Sequence, residues 1–135
     1  MRVRKLPFDG RYTVLSACDG RGTPILLGFL EGLGPNLQKD VGHLIALLER
    51  VAVTGPPRNT EISHKIDGEI WEFIKGRLRV FYFYDEGHVV VCTHGLVKKS
   101  QKTPKADLAH AEQVRKTYLA AKQAGALIIE EENDG

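Results

Sequence analysis

The fold of this chain is decided by residues 70–118, IWEFIKGRLRVFYFYDEGHVVVCTHGLVKKSQKTPKADLAHAEQVRKTY. Runs of β-branched and aromatic residues between glycine-containing turns predict an antiparallel meander. The predicted strands are Glu69–Ile74, Arg77–Tyr84 and His88–Val97. A group of lysines follows, and Thr103 and Pro104 then begin a C-terminal helix that runs to about Gln123. One side of this helix is lined by Leu108, Ala111, Val114 and Tyr118.

The residues before the meander predict one strand, two helices and a second, shorter strand. The first strand is Arg11–Ala17, and Pro24 opens a short apolar helix. Asn36 caps a longer helix with an apolar stripe, which the Gly55–Thr60 segment ends before a short strand at Ser63–Ile66. This order of elements is α+β, and we expect the two N-terminal helices to form a hairpin over one face of the sheet.

The composition points to one domain. A chain of 135 residues is long enough to bury a core without disulfides, and Cys18 and Cys92 lie far apart in sequence. Free thiols in a reducing cytoplasm are therefore expected. The apolar runs are too short for a membrane span, and the basic N-terminus lacks the apolar core of a signal peptide.

The net charge of +2 conceals an acidic C-terminus. Glu130, Glu131, Glu132 and Asp134 supply four of the 17 acidic residues, so the remaining 13 face 19 basic residues, a balance of +6. We therefore expect a single domain over residues 1–125 and a disordered acidic tail over residues 126–135.

Two arginines lie in line on one predicted strand. Strand alternation places Arg77 and Arg79 on one face together with two phenylalanines. Guanidinium groups in this arrangement can hold a phosphate through paired hydrogen bonds. The alternative is that Arg77 is an exposed turn residue and that Arg79 pairs with a carboxylate, either Glu72 or Glu69.

The lysines form a second cationic feature. Four of them fall within eight residues, at Lys98, Lys99, Lys102 and Lys105, beside the predicted start of the C-terminal helix. Because backbone amides at a helix N-terminus add positive potential, this grouping favours an anion site. The alternative is an ordinary solvated surface.

The five histidines show no metal-binding spacing, so no metal and no cofactor are expected. His94 directly precedes the lysines, and an ordinary histidine pKa suits acid–base work. A purely structural histidine is the alternative at this position. His64 and Lys65 form a second polar pair near the same predicted sheet edge.

Taken together, these motifs resemble the RelE superfamily of bacterial toxins, and in particular its phage-derived HigB-like branch. The resemblance covers residues 62–118 closely, and the earlier elements match in order only. The segments that carry it are Trp71–Ile74 (WEFI), Arg79–Phe83 (RVFYF), His94–Lys99 (HGLVKK), Lys102–Pro104 (KTP) and Arg115–Tyr118 (RKTY).

The resemblance implies a RelE-like fold, a twisted antiparallel sheet with the helical hairpin on one face and a C-terminal helix. It also implies a toxin of a type II toxin–antitoxin system that cleaves mRNA, usually on the translating ribosome. In that reaction the 2′-hydroxyl of the RNA attacks the adjacent phosphate without a metal. The implied catalytic residues are Arg79, Arg77, His94 and Lys98. The implied RNA-binding residues are Lys99, Lys102, Lys105 and Tyr118.

One position departs from the family pattern. The arginine of the Trp-Glu-Leu-Arg strand falls on Ile74 here, and Arg77 is the nearest substitute. The alternative function is therefore a weak or inactive RNA- or ribosome-binding module on the same scaffold. A third reading is an interaction module with no role in nucleic-acid binding. The implied partner is a HigA-like helix-turn-helix antitoxin from the adjacent gene. This chain has no recognition-helix motif, so we expect no direct DNA binding by it alone.

Overall fold

The computed structural model describes residues 1–99 and 102–131, which contain one seven-stranded sheet and three α-helices. The strands are β1 Arg2–Lys5, β2 Thr13–Ala17, β3 Ser63–Asp67, β4 Ile70–Lys75, β5 Leu78–Asp85, β6 Val89–Val97 and β7 Ile128–Glu130. The helices are α1 Ile25–Glu31, α2 Gln38–Thr54 and α3 Lys105–Gln123. None of these helices is long and apolar enough to cross a membrane.

The sheet is mixed, with the order β3-β4-β5-β6-β2-β1-β7. Strands β3 to β6 form an antiparallel meander. Beyond it, β2 lies parallel to β6, β1 lies antiparallel to β2, and β7 lies parallel to β1. Two of the six strand pairings are therefore parallel.

The predicted fold, an antiparallel RelE-like sheet with an N-terminal helical hairpin, is wrong. The sheet is larger and mixed, and the first two helices do not form a hairpin. Helix α1 contacts β6 and β2, whereas α2 packs against β2, β4 and β5. Each helix thus finds its apolar partners on the sheet, and the short α1 ends at Gly32 before it can pair along α2.

The core has two layers, one on each face of the sheet. Helices α1 and α2 cover one face with residues such as Leu26, Leu44 and Leu48. Helix α3 covers part of the other face through Ala111 and Tyr118. Alternate residues of β5 point into the two layers, and both sets are buried. This burial explains why β5 is apolar and aromatic on both faces.

The predicted tail, residues 126–135, contributes to the sheet. Ile128–Glu130 form β7, and the Glu130 carboxylate accepts hydrogen bonds from Arg2 (2.8 Å) and Arg4 (3.2 Å). The basic first strand therefore has an acidic partner at the far end of the chain. The rest of the predicted tail, residues 132–135, lies outside the described residues.

Candidate nucleic-acid interface

Polar residues are aligned across the face of the sheet that α3 covers. Strand pairing sets His64 opposite Glu72, Glu72 opposite Phe81 and Phe81 opposite His94. The next row consists of Ile74, Arg79 and Leu96. Because side chains alternate along a strand, both rows lie on the same face as Phe81.

A group of cations, the cationic end, extends from these rows to the start of α3. It consists of Arg77, Arg79, Lys98, Lys99, Lys102 and Lys105. The amide of Lys98 donates to the carbonyl of Arg77 (2.8 Å), which joins the end of β6 to the turn before β5. Ser100 and Gln101, between the lysines, lie outside the described residues. The structure thus brings the predicted arginines and the start of the lysine run together.

Arg79 is the most enclosed of these cations. Its side chain is 13% exposed. Its Nη1 donates to the carbonyls of Gly76 (2.8 Å) and Leu78 (3.0 Å). Its Nε lies 4.0 Å from Oε1 of Glu72 and is buried without a hydrogen-bond partner. Arg79 therefore lies beside a carboxylate, as one alternative predicted, but forms no hydrogen bond with it.

Glu72 is a buried carboxylate with one unsatisfied oxygen. Its side chain is 3% exposed, Oε1 lies 3.2 Å from Nε2 of His64, and Oε2 is buried with no partner. Nδ1 of His64 lies 2.9 Å from the carbonyl of Thr60, so this nitrogen carries the proton and donates. His64 itself is 38% exposed and connects Glu72 to the surface.

His94 is held at both ring nitrogens. Nε2 lies 3.0 Å from Oδ1 of Asp107, in the first turn of α3, and Nδ1 lies 2.9 Å from the hydroxyl of Thr93. Burial lowers the pKa of His94, and the hydrogen bond to Asp107 offsets this only in part. A neutral ring therefore donates from Nε2 to Asp107 and accepts from Thr93. In this arrangement His94 fixes the start of α3 on β6, and proton transfer would require it to release one bond.

The remaining predicted cations lie on the surface. Arg77 is exposed in the β4–β5 turn, where its amide donates to Oδ2 of Asp40 (3.2 Å). Lys98 is half-buried, and Lys99, Lys102 and Lys105 are exposed. The first amides of α3 have no intrahelical acceptor, so they add positive potential beside Lys105.

Tyr118 is not part of the cationic end. It is buried against β5 and β6, and its hydroxyl donates to Oδ2 of Asp85 (2.6 Å). It lies about 16 Å along α3 from Asp107, at 1.5 Å per residue. Burial and the hydrogen bond to Asp85 raise the pKa of Tyr118. The structure therefore places this predicted RNA-binding residue in the core.

The sequence analysis missed three contributors to the site. It named Glu72 only as a partner for Arg79, and it overlooked Asp107 and Thr93. Strand alternation already placed Glu72 on the face of Arg79, and a glutamate within an apolar strand signals a buried charge. The contact between Asp107 and His94 depends on how α3 docks, which no local pattern specifies. Among the described residues, no group of three or more His, Cys, Asp or Glu is placed to hold a metal ion.

A family model described as Phage derived protein Gp49-like (DUF891) matches residues 28–116, more than half of the chain. This is a toxin-like family of the RelE and HigB type. The matched range contains Glu72, Arg79, His94 and the start of α3, and it stops before Tyr118. No curated protein sequence matches the chain.

Proposed function

This chain belongs to the phage-derived Gp49-like family, and we propose that it is the toxin of a type II toxin–antitoxin pair, an endoribonuclease that cleaves mRNA on the translating ribosome. The observation that carries the proposal is Arg79, enclosed in the sheet beside Glu72 and bordered by the other residues of the cationic end. Two histidine–carboxylate pairs, His64–Glu72 and His94–Asp107, flank it.

The proposed reaction is metal-independent transphosphorylation. The ribose 2′-oxygen forms a bond to the adjacent phosphorus, and the bond to the 5′-oxygen of the next nucleotide breaks. One proton leaves the 2′-hydroxyl and another reaches the departing 5′-oxygen, which gives a 2′,3′-cyclic phosphate and a 5′-hydroxyl. Arg79, Arg77 and Lys98 would stabilise the additional negative charge on phosphorus. Lys99, Lys102 and Lys105 would contact the flanking backbone.

The two histidine pairs are the candidates for moving protons. His94 has a lowered pKa and is enclosed, whereas His64 is the more exposed of the two. Each ring already makes two polar contacts, so each must exchange one of them for a substrate oxygen. This requirement supports a site that is completed only when RNA binds.

A second candidate function is an RNA- or ribosome-binding module. Ile74 lies directly opposite Arg79, at the position where the family motif carries an arginine. The row therefore holds one guanidinium instead of two. Phosphate binding would survive this loss more readily than transition-state stabilisation, because binding draws on all the surrounding cations.

We further propose a helix-turn-helix antitoxin as the partner. A cationic surface is blocked most directly by an acidic segment, since complementary charge raises the association rate and specificity. In this proposal the complex binds operator DNA and this chain alone does not.

The proposal is tested by incubating the purified chain with ribosomes programmed with a defined mRNA, in excess EDTA. We expect cleavage within the open reading frame and fragments with 2′,3′-cyclic phosphate ends. An mRNA with 2′-O-methyl groups at the cleaved positions is the matched control, and it should remain intact because its nucleophile is blocked. Binding of both RNAs without cleavage would favour the binding module, and absence of binding would contradict both functions.

A further inference from the structure

Two buried polar atoms near Arg79 lack partners in the described structure. They are Nε of Arg79 and Oε2 of Glu72. One is a donor in a cation and the other is an acceptor in an anion, and the two side chains already approach to 4.0 Å through Oε1. Buried charged groups in folded proteins are normally paired, so this open pair requires a physical explanation.

The hydrogen bonds of Arg79 to the backbone explain why the pair stays open. Nη1 donates to the carbonyls of Gly76 and Leu78, which turns the guanidinium back toward the β4–β5 turn. Turning Nε toward Glu72 would stretch these bonds. Without an anion, nothing compensates for that loss, and Arg79 remains on the backbone.

The contacts of His64 prepare Glu72 for a second partner. His64 lies 3.2 Å from Oε1 and is itself fixed by the carbonyl of Thr60 (2.9 Å). This contact holds the carboxylate in one orientation and leaves Oε2 unused. An ionised carboxylate accepts at both oxygens, so it can bind His64 and Arg79 together.

We propose that Glu72 is the positioning residue of Arg79 and that phosphate binding closes this pair. In the closed arrangement Nε donates to Glu72, and Nη1 and Nη2 leave the backbone and bind two oxygens of the same phosphate. A guanidinium binds phosphate most strongly in this two-point geometry. The inference rests on the proposed function for the identity of the phosphate, an RNA backbone.

The first test is a double-mutant cycle of cleavage rate on Glu72 and Arg79. Glu72→Gln keeps the shape and removes the charge, and a misplaced catalytic group loses about 10²-fold in rate. We expect Glu72→Gln to lower kcat by up to that factor and to cause no further loss in an Arg79→Ala background. Glu69→Gln is the matched control, since Glu69 is an exposed glutamate beside the same strand. Equal losses in both backgrounds would overturn the proposal, because Glu72 would then act independently of Arg79.

The pH profile of kcat separates a positioning residue from a general base. If Glu72 only positions Arg79, Glu72→Gln should lower the whole profile and keep its shape. Loss of the acidic limb would show that Glu72 itself takes the proton, and the proposal would be wrong.

The second test needs neither catalysis nor a mutant. The NMR signal of the Arg79 Nε–H group is followed in the wild-type protein as a 2′-O-methyl oligonucleotide is added. We expect this signal to shift and its exchange with water to slow as Nε pairs with Glu72. A fixed Arg79 signal, while the amides of Lys98 and Lys99 shift, would contradict the proposal. If RNA is bound and the Arg79 signal shifts but no RNA is cleaved, the endonuclease function fails and the inference stands.

Discussion

The two ends of the surface between α3 and the sheet contain similar residues in opposite states. At one end, Asp85, Tyr118 and Lys122 form a closed network, the Asp85 anchor. Tyr118 donates to Asp85 at 2.6 Å, and Lys122 donates to both its oxygens at 2.9 and 3.0 Å. At the other end, Arg79 and Glu72 lie equally close to the core but each keeps a buried atom without a partner.

This difference separates stability from function. The hydrogen bonds to Asp85 outweigh the effect of its burial and hold the pKa of Asp85 below its ordinary value, which is expected of a paired carboxylate. A closed network of this kind stabilises the fold and has little capacity left for a ligand. The open pair at the cationic end has that capacity. The comparison thus assigns anchoring of α3 to one end and RNA binding to the other.

The largest expected effect is on cleavage, from Arg79→Ala. Loss of one charge-assisted contact to the transition state costs about 2.7–4 kcal/mol, or roughly 10²–10³ in rate. Arg21→Ala, in an exposed loop, is the control and should leave the rate unchanged. Circular dichroism should show both variants folded. A folded Arg79→Ala protein with full activity would remove Arg79 from the site, and an unfolded one would show that Arg79 is structural.

Tyr118→Phe should have the opposite profile. It removes one hydrogen bond to the buried Asp85 and should lower the free energy of unfolding by about 1–3 kcal/mol, measured by urea denaturation. The cleavage rate of the folded protein should not change. Tyr12→Phe, whose hydroxyl has no hydrogen-bond partner among the described residues, is the control for ring contacts. A loss of activity at full stability would return Tyr118 to the RNA site.

Ile74→Arg should strengthen RNA binding. The new guanidinium would stand opposite Arg79 and restore the pair of arginines that the family motif contains. The four lysines of the cationic end give a slope of log affinity against log salt of about −3, from roughly −0.7 per contact on a single strand. The variant should be steeper by about 0.7, and Ile45→Arg, on α2, should not be. An unchanged slope would mean that RNA does not contact this row.

The smallest expected effect is the pH dependence that His94 imposes on stability. Its pKa in the folded protein is lowered from the ordinary 6.5, so the unfolded chain binds the proton more readily. Stability from this group should therefore be complete above pH 6.5 and fall below it, by at most about 1.4 kcal/mol per pH unit. Thermal unfolding from pH 7 to pH 5 should show a smaller decline in His94→Gln. Equal declines in both proteins would assign the effect to other groups.

Local sequence patterns were sufficient to predict the meander and the last helix. The predicted strand Arg77–Tyr84 corresponds to β5 at Leu78–Asp85, and the predicted end of the last helix, Gln123, is the observed one. Alternation and turn residues determine these elements within a few positions of each other in sequence. The same patterns placed Arg79 on the face of the sheet that carries the candidate site.

The outer strands and the parallel pairings were not predictable in this way. Strand β1 is a short basic segment, and β7 lies in what reads as an acidic tail. They become strands because Glu130 meets Arg2 and Arg4 from the other end of the chain. Tyr118 shows a different limit. Its seven-residue spacing from Ala111 predicted a shared buried face, but the family resemblance assigned it to RNA. The observed burial follows the helical spacing.

The most direct test of the assignment of the two ends is an NMR titration of the isotopically labelled protein with a 2′-O-methyl RNA oligonucleotide at physiological salt. We predict that the signals of Arg79, Lys98, Lys99 and Lys105 shift in proportion to the RNA bound. The signals of Asp85, Tyr118 and Lys122 should stay fixed. Shifts confined to the Asp85 anchor, or saturable binding without shifts at the cationic end, would contradict the account.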